Sequence, residues 1–313
     1  MSLHALTLGY AVPQGDFRAI VHSVFHAAVN LRPASGDLLL TLTGAGEADL
    51  PQGIRVDTPE DFSFETLRVG AKAACQSGRL EFEDASLHID LLTGRRWKCD
   101  LPAAGRAIDR SAFAGGWKLV WEALNERQVR EGAEIVAAKL FRPDEAAQTA
   151  TSRKMGAGLR TLVESARRCE LMDEYALERL VGLGPGLTPA GDDLLVGLLA
   201  GLRCAAGKDK ARGVFLHRLG ETVIHLSGRT NDISRTYLVH AAHGQVSGSL
   251  EALARSVCQG EAPVHLLASA STAMRAGHSS GMDAVTGLLA GLGVWTLEGE
   301  LAAFATAWDF PRD

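Results

Sequence analysis

The stretch Gly191–Leu202, GDDLLVGLLAGL, recurs later in the chain as Gly281–Leu292, GMDAVTGLLAGL. Eight of the twelve positions are identical. Apolar residues three and four positions apart predict a buried helix for each copy. Each copy has two interior glycines, and a glycine inside a helix costs about 1 kcal/mol relative to alanine. Close packing of another helix against these glycines would offset the cost, and packing of the two copies on each other would create a pseudo-twofold axis.

An irregular segment precedes the first predicted helix. This first loop, Gly182–Asp193, reads GLGPGLTPAGDD, and Thr188 followed by Pro189 is typical of an N-cap and the first helical position. Its glycines permit left-handed backbone. Exposed N–H groups at a helix start carry partial positive charge and bind phosphate or carboxylate. We therefore predict an anion site at this loop, lined by Gly184, Gly186 and Thr188, with Ser279 of a later loop as a further donor.

Aspartates begin both copies of the repeat. Asp192 and Asp193 start the first, and Asp283 takes the place of Asp193 in the second. The helix dipole stabilises such carboxylates by about 0.3–1 kcal/mol each. Two roles stay open: they cap the helices and hold loop N–H groups, or they bind Mg²⁺ or a substrate amine beside the anion. No cofactor is predicted, and Mg²⁺ is the ion that these carboxylates would accept.

The second loop, Gly277–Asp283, reads GHSSGMD and is rich in hydrogen-bond donors, namely His278, Ser279 and Ser280. If the repeat helices pack through their glycines, the two loops converge and form one shared site.

A third polar segment, Ser227–Leu238, lies between the copies and reads SGRTNDISRTYL. Thr230 or Asn231 is a suitable helix N-cap. Arg229 precedes this cap, where it is poorly placed to cover the core, and its guanidinium group suits a carboxylate or phosphate. The predicted substrate-binding residues are Gly184, Gly186, Thr188, Gly191, Asp192, Thr230, Asn231, His278, Ser279 and Ser280, with Asp193, Asp283 and Arg229 as catalytic candidates.

The period of the apolar pattern divides the chain. Before about Leu101 it favours strands, with alternation from Ala19 to Val29 and the run LLLTLT at Leu38–Thr43, whereas Thr66–Cys75 fits either helix or strand. From about Ser111 it becomes helical. We predict an α+β fold with a β-rich subdomain at 1–110 and a helical domain at 111–313. The polar stretch Arg142–Gly158 is interpreted as a linker or a loop over the site.

Composition excludes several classes of protein. A net charge of -5, with scattered basic residues, predicts neither nucleic-acid nor membrane-surface binding. Five separated cysteines without a CxxC pair exclude a disulfide framework and a zinc site. The first residues lack the features of a signal peptide, and the longest apolar stretch, Leu194–Ala206, is too short to cross a bilayer. We expect a cytoplasmic protein.

The segments GLGPGLTPAGDD, TNDIS with AAHGQVS, and GHSSGMDAVTGLLAGL resemble the signature blocks of the AllH family. The N-terminal pattern GDFRAIVHSVFHAAVNL, followed by DLLLTLT, is also similar. The resemblance implies a subunit of oxamate carbamoyltransferase, which moves a carbamoyl group between oxamate and phosphate in allantoin-type purine catabolism. It implies other enzyme subunits as partners in an oligomer, and a small anionic substrate: phosphate, carbamoyl phosphate or an oxamate-like carboxylate.

Three functional hypotheses remain. In the leading one, the chain is a carbamoyltransferase subunit in which the loops bind an anion, Arg229 pairs with a carboxylate, and Asp193 or Asp283 orients the substrate. In the second, the chain is a non-catalytic assembly subunit whose repeat helices form an interface. In the third, the three aspartates hold Mg²⁺ in a metal-dependent enzyme.

Overall fold

The structure, a computed structural model, describes residues 1–103, 109–142, 149–170, 174–297, 301 and 303. It contains two compact units, Met1–Cys99 and Asp100–Asp313. Strands form the first unit and helices form the second, so the predicted α+β class is confirmed. Over the described residues, none of the helices has the length and apolarity needed to span a bilayer.

A closed sheet forms the first unit. Its strands are β1 Ser2–Gly9, β2 Phe17–Val24, β3 Ala28–Pro33, β4 Leu40–Thr43, β5 Gly53–Val56, β6 Lys72–Gln76, β7 Arg79–Phe82, β8 Ala85–Asp90 and β9 Arg95–Trp97. Eight strands close in the order β1-β5-β4-β3-β2-β6-β7-β8, because β1 pairs with β5 and with β8. β9 pairs in parallel with the end of β1. Closure places one core inside the sheet and protects the strand edges.

The alternation from Ala19 to Val29 covers a hairpin rather than one strand. β2 and β3 pair in antiparallel fashion, and the Phe25 N–H donates to the Ala28 carbonyl at the turn, 2.8 Å away. β2 buries alternate residues, Phe17, Ala19 and Val21, whereas β3 buries Val29, Asn30 and Leu31 in succession, so the alternating sequence pattern runs through the turn without matching the burial. The ambiguous segment Thr66–Cys75 contains the end of a short 3-10 helix and then most of β6.

The described part of the second unit is helical. Its helices are α1 Arg110–Arg130, α2 Ala137–Leu140, α3 Ala150–Arg168, α4 Glu174–Glu178, α5 Ala190–Ala206, α6 Lys210–Leu226, α7 Asp232–Ala242, α8 Gly248–Gln259, α9 Pro263–Met274 and α10 Ser280–Thr296. The interpretation of Arg142–Gly158 as a linker or loop is wrong from Ala150 onward, because Thr149 caps α3 there. Residues 143–148 lie outside the described residues.

The two repeat copies, α5 and α10, pack against each other through their glycines. A Cβ added at Gly197 would overlap the Ala284 carbonyl oxygen, and a Cβ added at Gly287 would overlap the Leu194 carbonyl oxygen. The second glycine of each copy shows the same exchange. These contacts are reciprocal between the copies, so the packing has the pseudo-twofold symmetry that the repeat predicts. Backbone-to-backbone approach explains why side chains are absent at these positions.

The helices α5 and α10 run parallel. Gly197 contacts Ala284 and Leu288, whereas Gly201, one turn further along α5, contacts Leu288 and Leu292. Parallel packing places both helix N-termini at the same end of the pair. The bodies are enclosed within the unit: α10 is buried along most of its length, and the Trp117 indole N–H donates to the Leu289 carbonyl at 2.7 Å.

Candidate functional site

The two loops meet at the shared end of α5 and α10. The hydroxyl oxygens of Thr188 and Ser280 lie 2.6 Å apart, although 92 positions separate these residues in the chain. The prediction that Thr188 is the N-cap of α5 is wrong. Pro189 occupies that position and makes no side-chain cap bond, while the Thr188 hydroxyl is engaged by Ser280. Thr188 therefore joins the two loops.

Backbone donors line the outer part of the two loops. Gly184 and Gly186 have φ angles of +110° and +104°, which side-chain-bearing residues rarely adopt. Among the described residues, no acceptor contacts the backbone N–H of Gly184, Gly186 or Ser279. Gly186 and Ser279 are exposed, and Gly184 is partly exposed. Accessible N–H groups beside two helix N-termini are suited to an anion.

Asp192 holds the first loop in place. Its carboxylate accepts hydrogen bonds from the Gly182 N–H at 2.8 Å and from the Thr230 hydroxyl at 2.6 Å. Burial raises the pKa of Asp192, and these hydrogen bonds act in the opposite direction. Asn231 adds a second attachment, since its side chain caps α7 and donates to the Leu187 carbonyl at 2.9 Å. Asp192, Thr230 and Asn231 thus connect the first loop to α7.

The backbone of Gly191 packs against neighbouring residues and does not face the site. A Cβ there would overlap the Leu180 carbonyl oxygen, and the Gly191 N–H already donates to the Leu183 carbonyl at 2.9 Å. Its counterpart Gly281 is equally confined, and its N–H donates to the Ala276 carbonyl at 2.9 Å. Gly191 and Gly281, the first residues of the two copies, therefore fix the direction in which each loop enters its helix.

Asp193 lies between the two loops and has an unusual environment. Its Oδ2 atom is buried and has no hydrogen-bond partner among the described residues. Burial raises the pKa of Asp193 to about 8, against the opposing effect of the Thr188 and Ser280 hydroxyls, and the Asp192 charge adds to the rise. An acid that stays protonated near neutral pH can donate as well as accept a hydrogen bond. Unusual pKa values of this kind are common at functional sites.

Asp283 occupies the equivalent position on α10 and is also buried. Burial raises its pKa well above the ordinary value, and the charges of Asp193 and Glu134 add to the rise. Glu134, in the connection between α1 and α2, accepts a hydrogen bond from the Thr149 hydroxyl at 2.9 Å. Sequence reasoning missed Glu134 and Thr149, because neither belongs to a motif and both come close only through the packing of other helices.

The remaining candidates lie on the surface. Arg229 is 53% exposed and forms an ion pair with Glu178 of α4 at 2.8 Å. His278 on the second loop is exposed. Arg229 is thus already paired with Glu178 through one nitrogen of its guanidinium group.

The described residues bear on two of the functional hypotheses, the Mg²⁺ site and the assembly subunit. Within them, no group of three or more histidine, cysteine, aspartate or glutamate side chains is arranged to hold a metal ion. The bodies of α5 and α10 pack on each other and are enclosed, so the hypothesis that these helices form an interface with another subunit is wrong for the glycine stripes.

The N-terminal unit has a surface depression of its own, with a volume of about 810 Å³. Arg18, Arg32 and Lys72 line it together with Glu81 and Glu83. Lys72 pairs with Glu83 at 3.4 Å. This mixture of charges does not favour a ligand of either sign, and alternating exposed residues on strands gave no signal in the sequence.

Family comparisons match both parts of the chain. The model described as oxamate carbamoyltransferase subunit AllH matches residues 180–292, which contain both loops. The model described as AllH family N-terminal domain matches residues 4–96. Searches of curated proteins and of solved structures give no significant match.

Proposed function

This chain belongs to the AllH family, and we propose that it is a subunit of an oxamate carbamoyltransferase whose two loops bind a small anionic substrate. The bound group is the phosphate of carbamoyl phosphate or the carboxylate of an oxamate-like acid. The family name supports a subunit of this system, so other enzyme subunits are the expected partners.

The convergence of the two loops is the observation that carries this proposal. The Thr188–Ser280 contact brings two helix N-termini and two sets of backbone donors to one place. Each exposed helix end favours a nearby negative charge by about 0.3–1 kcal/mol, and hydrogen bonds to charged groups add about 1.5–3 kcal/mol each. These contributions suffice for a binding site of modest affinity that positions a substrate.

Carbamoyl transfer needs this kind of site. The oxamate nitrogen attacks the carbamoyl carbon, the bond from that carbon to the phosphate oxygen breaks, and phosphate leaves with the electron pair and takes up the proton that the nitrogen loses. Donors that hold the phosphate stabilise the negative charge that it gains. We assign that part to the N–H groups of Gly184, Gly186 and Ser279. Arg229 receives a smaller part as positive charge near the first loop, because Glu178 already binds its guanidinium group.

Titration calorimetry with phosphate, carbamoyl phosphate and oxamate tests the proposal, on the chain alone and assembled with its partner subunits. We expect binding of all three ligands. The double variant Thr188→Ala with Ser280→Ala should bind phosphate about tenfold more weakly, because loss of the hydrogen bond that joins the loops costs about 1.4 kcal/mol of binding free energy. Thr272→Ala on exposed α9 is the control and leaves the affinity unchanged. Absence of binding in both preparations contradicts the proposal.

A further inference from the structure

The polar groups between the two loops differ from those of a simple anion site. The outer part offers backbone donors, whereas the inner part offers the carboxyl group of Asp193, with a buried oxygen that lacks a hydrogen-bond partner in the described part of the chain. A buried polar atom without a partner costs about 1–3 kcal/mol. A ligand that satisfies this atom while its charged end binds the loop donors would recover that cost.

We propose that the carboxyl group of Asp193 binds a primary amide or carbamoyl group, H₂N–C=O, through two hydrogen bonds. Oδ2, which has no partner, carries the O–H that donates to the ligand carbonyl, and the other oxygen, beside the Thr188 and Ser280 hydroxyls, accepts an N–H of the ligand with its remaining lone pair. This inference rests on the proposed function and names the chemical class of its ligand: an anionic group next to H₂N–C=O. Both oxamate and carbamoyl phosphate have that form.

The charges around Asp193 favour the protonated form that this pairing requires. Asp192 on α5 adds negative charge beside Asp193, and Asp283 on α10 has Asp193 and Glu134 as its own acidic neighbours. The nearby Thr188 and Ser280 are neutral. Burial among these groups raises the pKa of Asp193 to about 8. Above that pH, an ionised carboxylate would still accept the N–H but would repel the ligand carbonyl.

Oxamate and pyruvate provide a matched pair of probes. Pyruvate has the same carboxylate next to a carbonyl group, with a methyl group in place of the amide NH₂, so that its carbonyl is a ketone. At pH 7 we expect the intact chain to bind oxamate at least tenfold more tightly than pyruvate, since a site that hydrogen-bonds an N–H rejects an analogue that lacks it. At pH 9.5 both affinities fall, because the ionised carboxylate no longer donates to the ligand carbonyl, but the ratio stays at tenfold or more, because the carboxylate still accepts the N–H of oxamate. Measuring the ratio cancels the effect of pH on the shared carboxylate.

Two variants separate this pairing from a structural role of Asp193. Asp193→Ala brings the ratio to about one at both pH values. Asp193→Asn keeps the preference for oxamate, because an amide side chain also accepts one hydrogen bond and donates one. Its two affinities do not fall between pH 7 and pH 9.5, because an amide does not ionise. Asp209→Asn, which removes an exposed carboxyl group at the N-cap of α6, keeps the wild-type pH dependence.

Equal affinities for oxamate and pyruvate in a wild-type protein that binds phosphate overturn the inference and leave the proposed function standing. Loss of the oxamate preference in a folded Asp193→Asn variant also overturns it. If neither phosphate nor oxamate binds, both the proposed function and this inference fail. The wild-type ratio at the two pH values decides the matter even if a variant does not fold.

Discussion

The two copies of the repeat have the same helix body but different loops. Asp192 in the first copy accepts hydrogen bonds from Gly182 and Thr230, whereas Met282 stands at the equivalent position of the second copy. The first loop is thus attached to α7, and the second loop is exposed at His278 and Ser279. The copies share the glycines that serve helix packing. They differ at the position that anchors the first loop. They also share Asp193 and Asp283, for which helix packing gives no reason.

The largest effect is expected from placing a side chain between α5 and α10, where Gly197 and Gly287 pack on the backbone of the facing helix. Gly197→Leu or Gly287→Leu places a side chain where the facing backbone already lies, so we expect loss of the folded state, a larger effect than the usual 1–3 kcal/mol of overpacking. Thermal unfolding followed by circular dichroism measures it. Gly213→Leu on α6 is the matched control, because a Cβ there meets no atom within 4 Å. Equal stability of Gly197→Leu and Gly213→Leu would contradict the close packing of α5 on α10.

A second test concerns pH and the shared aspartates. The pKa of Asp193 is about 8 in the folded protein and near 3.8 in the unfolded chain, so its contribution to stability is present at low pH and is lost as pH rises between these values. Asp193→Asn mimics the protonated form. We expect its free energy of unfolding, relative to wild type, to increase by on the order of 5 kcal/mol from pH 4 to pH 8.

Urea unfolding at several pH values measures this difference. The control Asp209→Asn behaves differently: the pKa of exposed Asp209 is lowered by its hydrogen bond to the Arg212 N–H, so the contribution of this carboxylate is lost only as pH falls below about 4 and stays nearly constant from pH 4 to pH 8. A pH-independent difference between wild type and Asp193→Asn would show that folding does not raise the pKa of Asp193.

The difference between the copies can be removed by Asp192→Met, which gives the first copy the residue of the second. Gly182 and Thr230 then lose their acceptor, and we expect a loss of about 2 kcal/mol in the free energy of unfolding. Hydrogen exchange should also show faster exchange of the Gly182 amide. Met282→Leu, a change of similar size in the second copy, is the control and costs less than about 1.5 kcal/mol. Equal effects in both copies would contradict the asymmetry.

The smallest expected effect is the coupling between the loops. A double-mutant cycle of Thr188→Ala and Ser280→Ala should give an interaction energy of about 1 kcal/mol, because the two hydroxyls share one hydrogen bond. Urea unfolding of the four proteins measures it. The cycle of Thr188→Ala with Ser279→Ala should be additive, and coupling there instead would mean that another residue joins the loops.

Local sequence patterns predict the packing of the repeat helices and the meeting of the two loops. The repeated glycines at a spacing of four predict the packing of α5 on α10, and that packing brings the loops together. The same patterns do not reveal which hydroxyl binds which, because Thr188 is as suitable for an N-cap as for a contact with Ser280. Glu134 and Thr149 also leave no sequence signal, since their approach to α10 depends on how α1, α2 and α3 pack. The hairpin at Phe25 is missed because its alternation continues through the turn.

The most direct test of the central claim, that both loops bind one small anion, is a phosphate titration followed by NMR of glycine amides in ¹⁵N-glycine protein. We expect the signals of Gly184, Gly186 and Gly277 to shift together along one saturation curve, with Gly213 unchanged. Shifts confined to one loop, or separate curves for the two loops, would contradict a shared site.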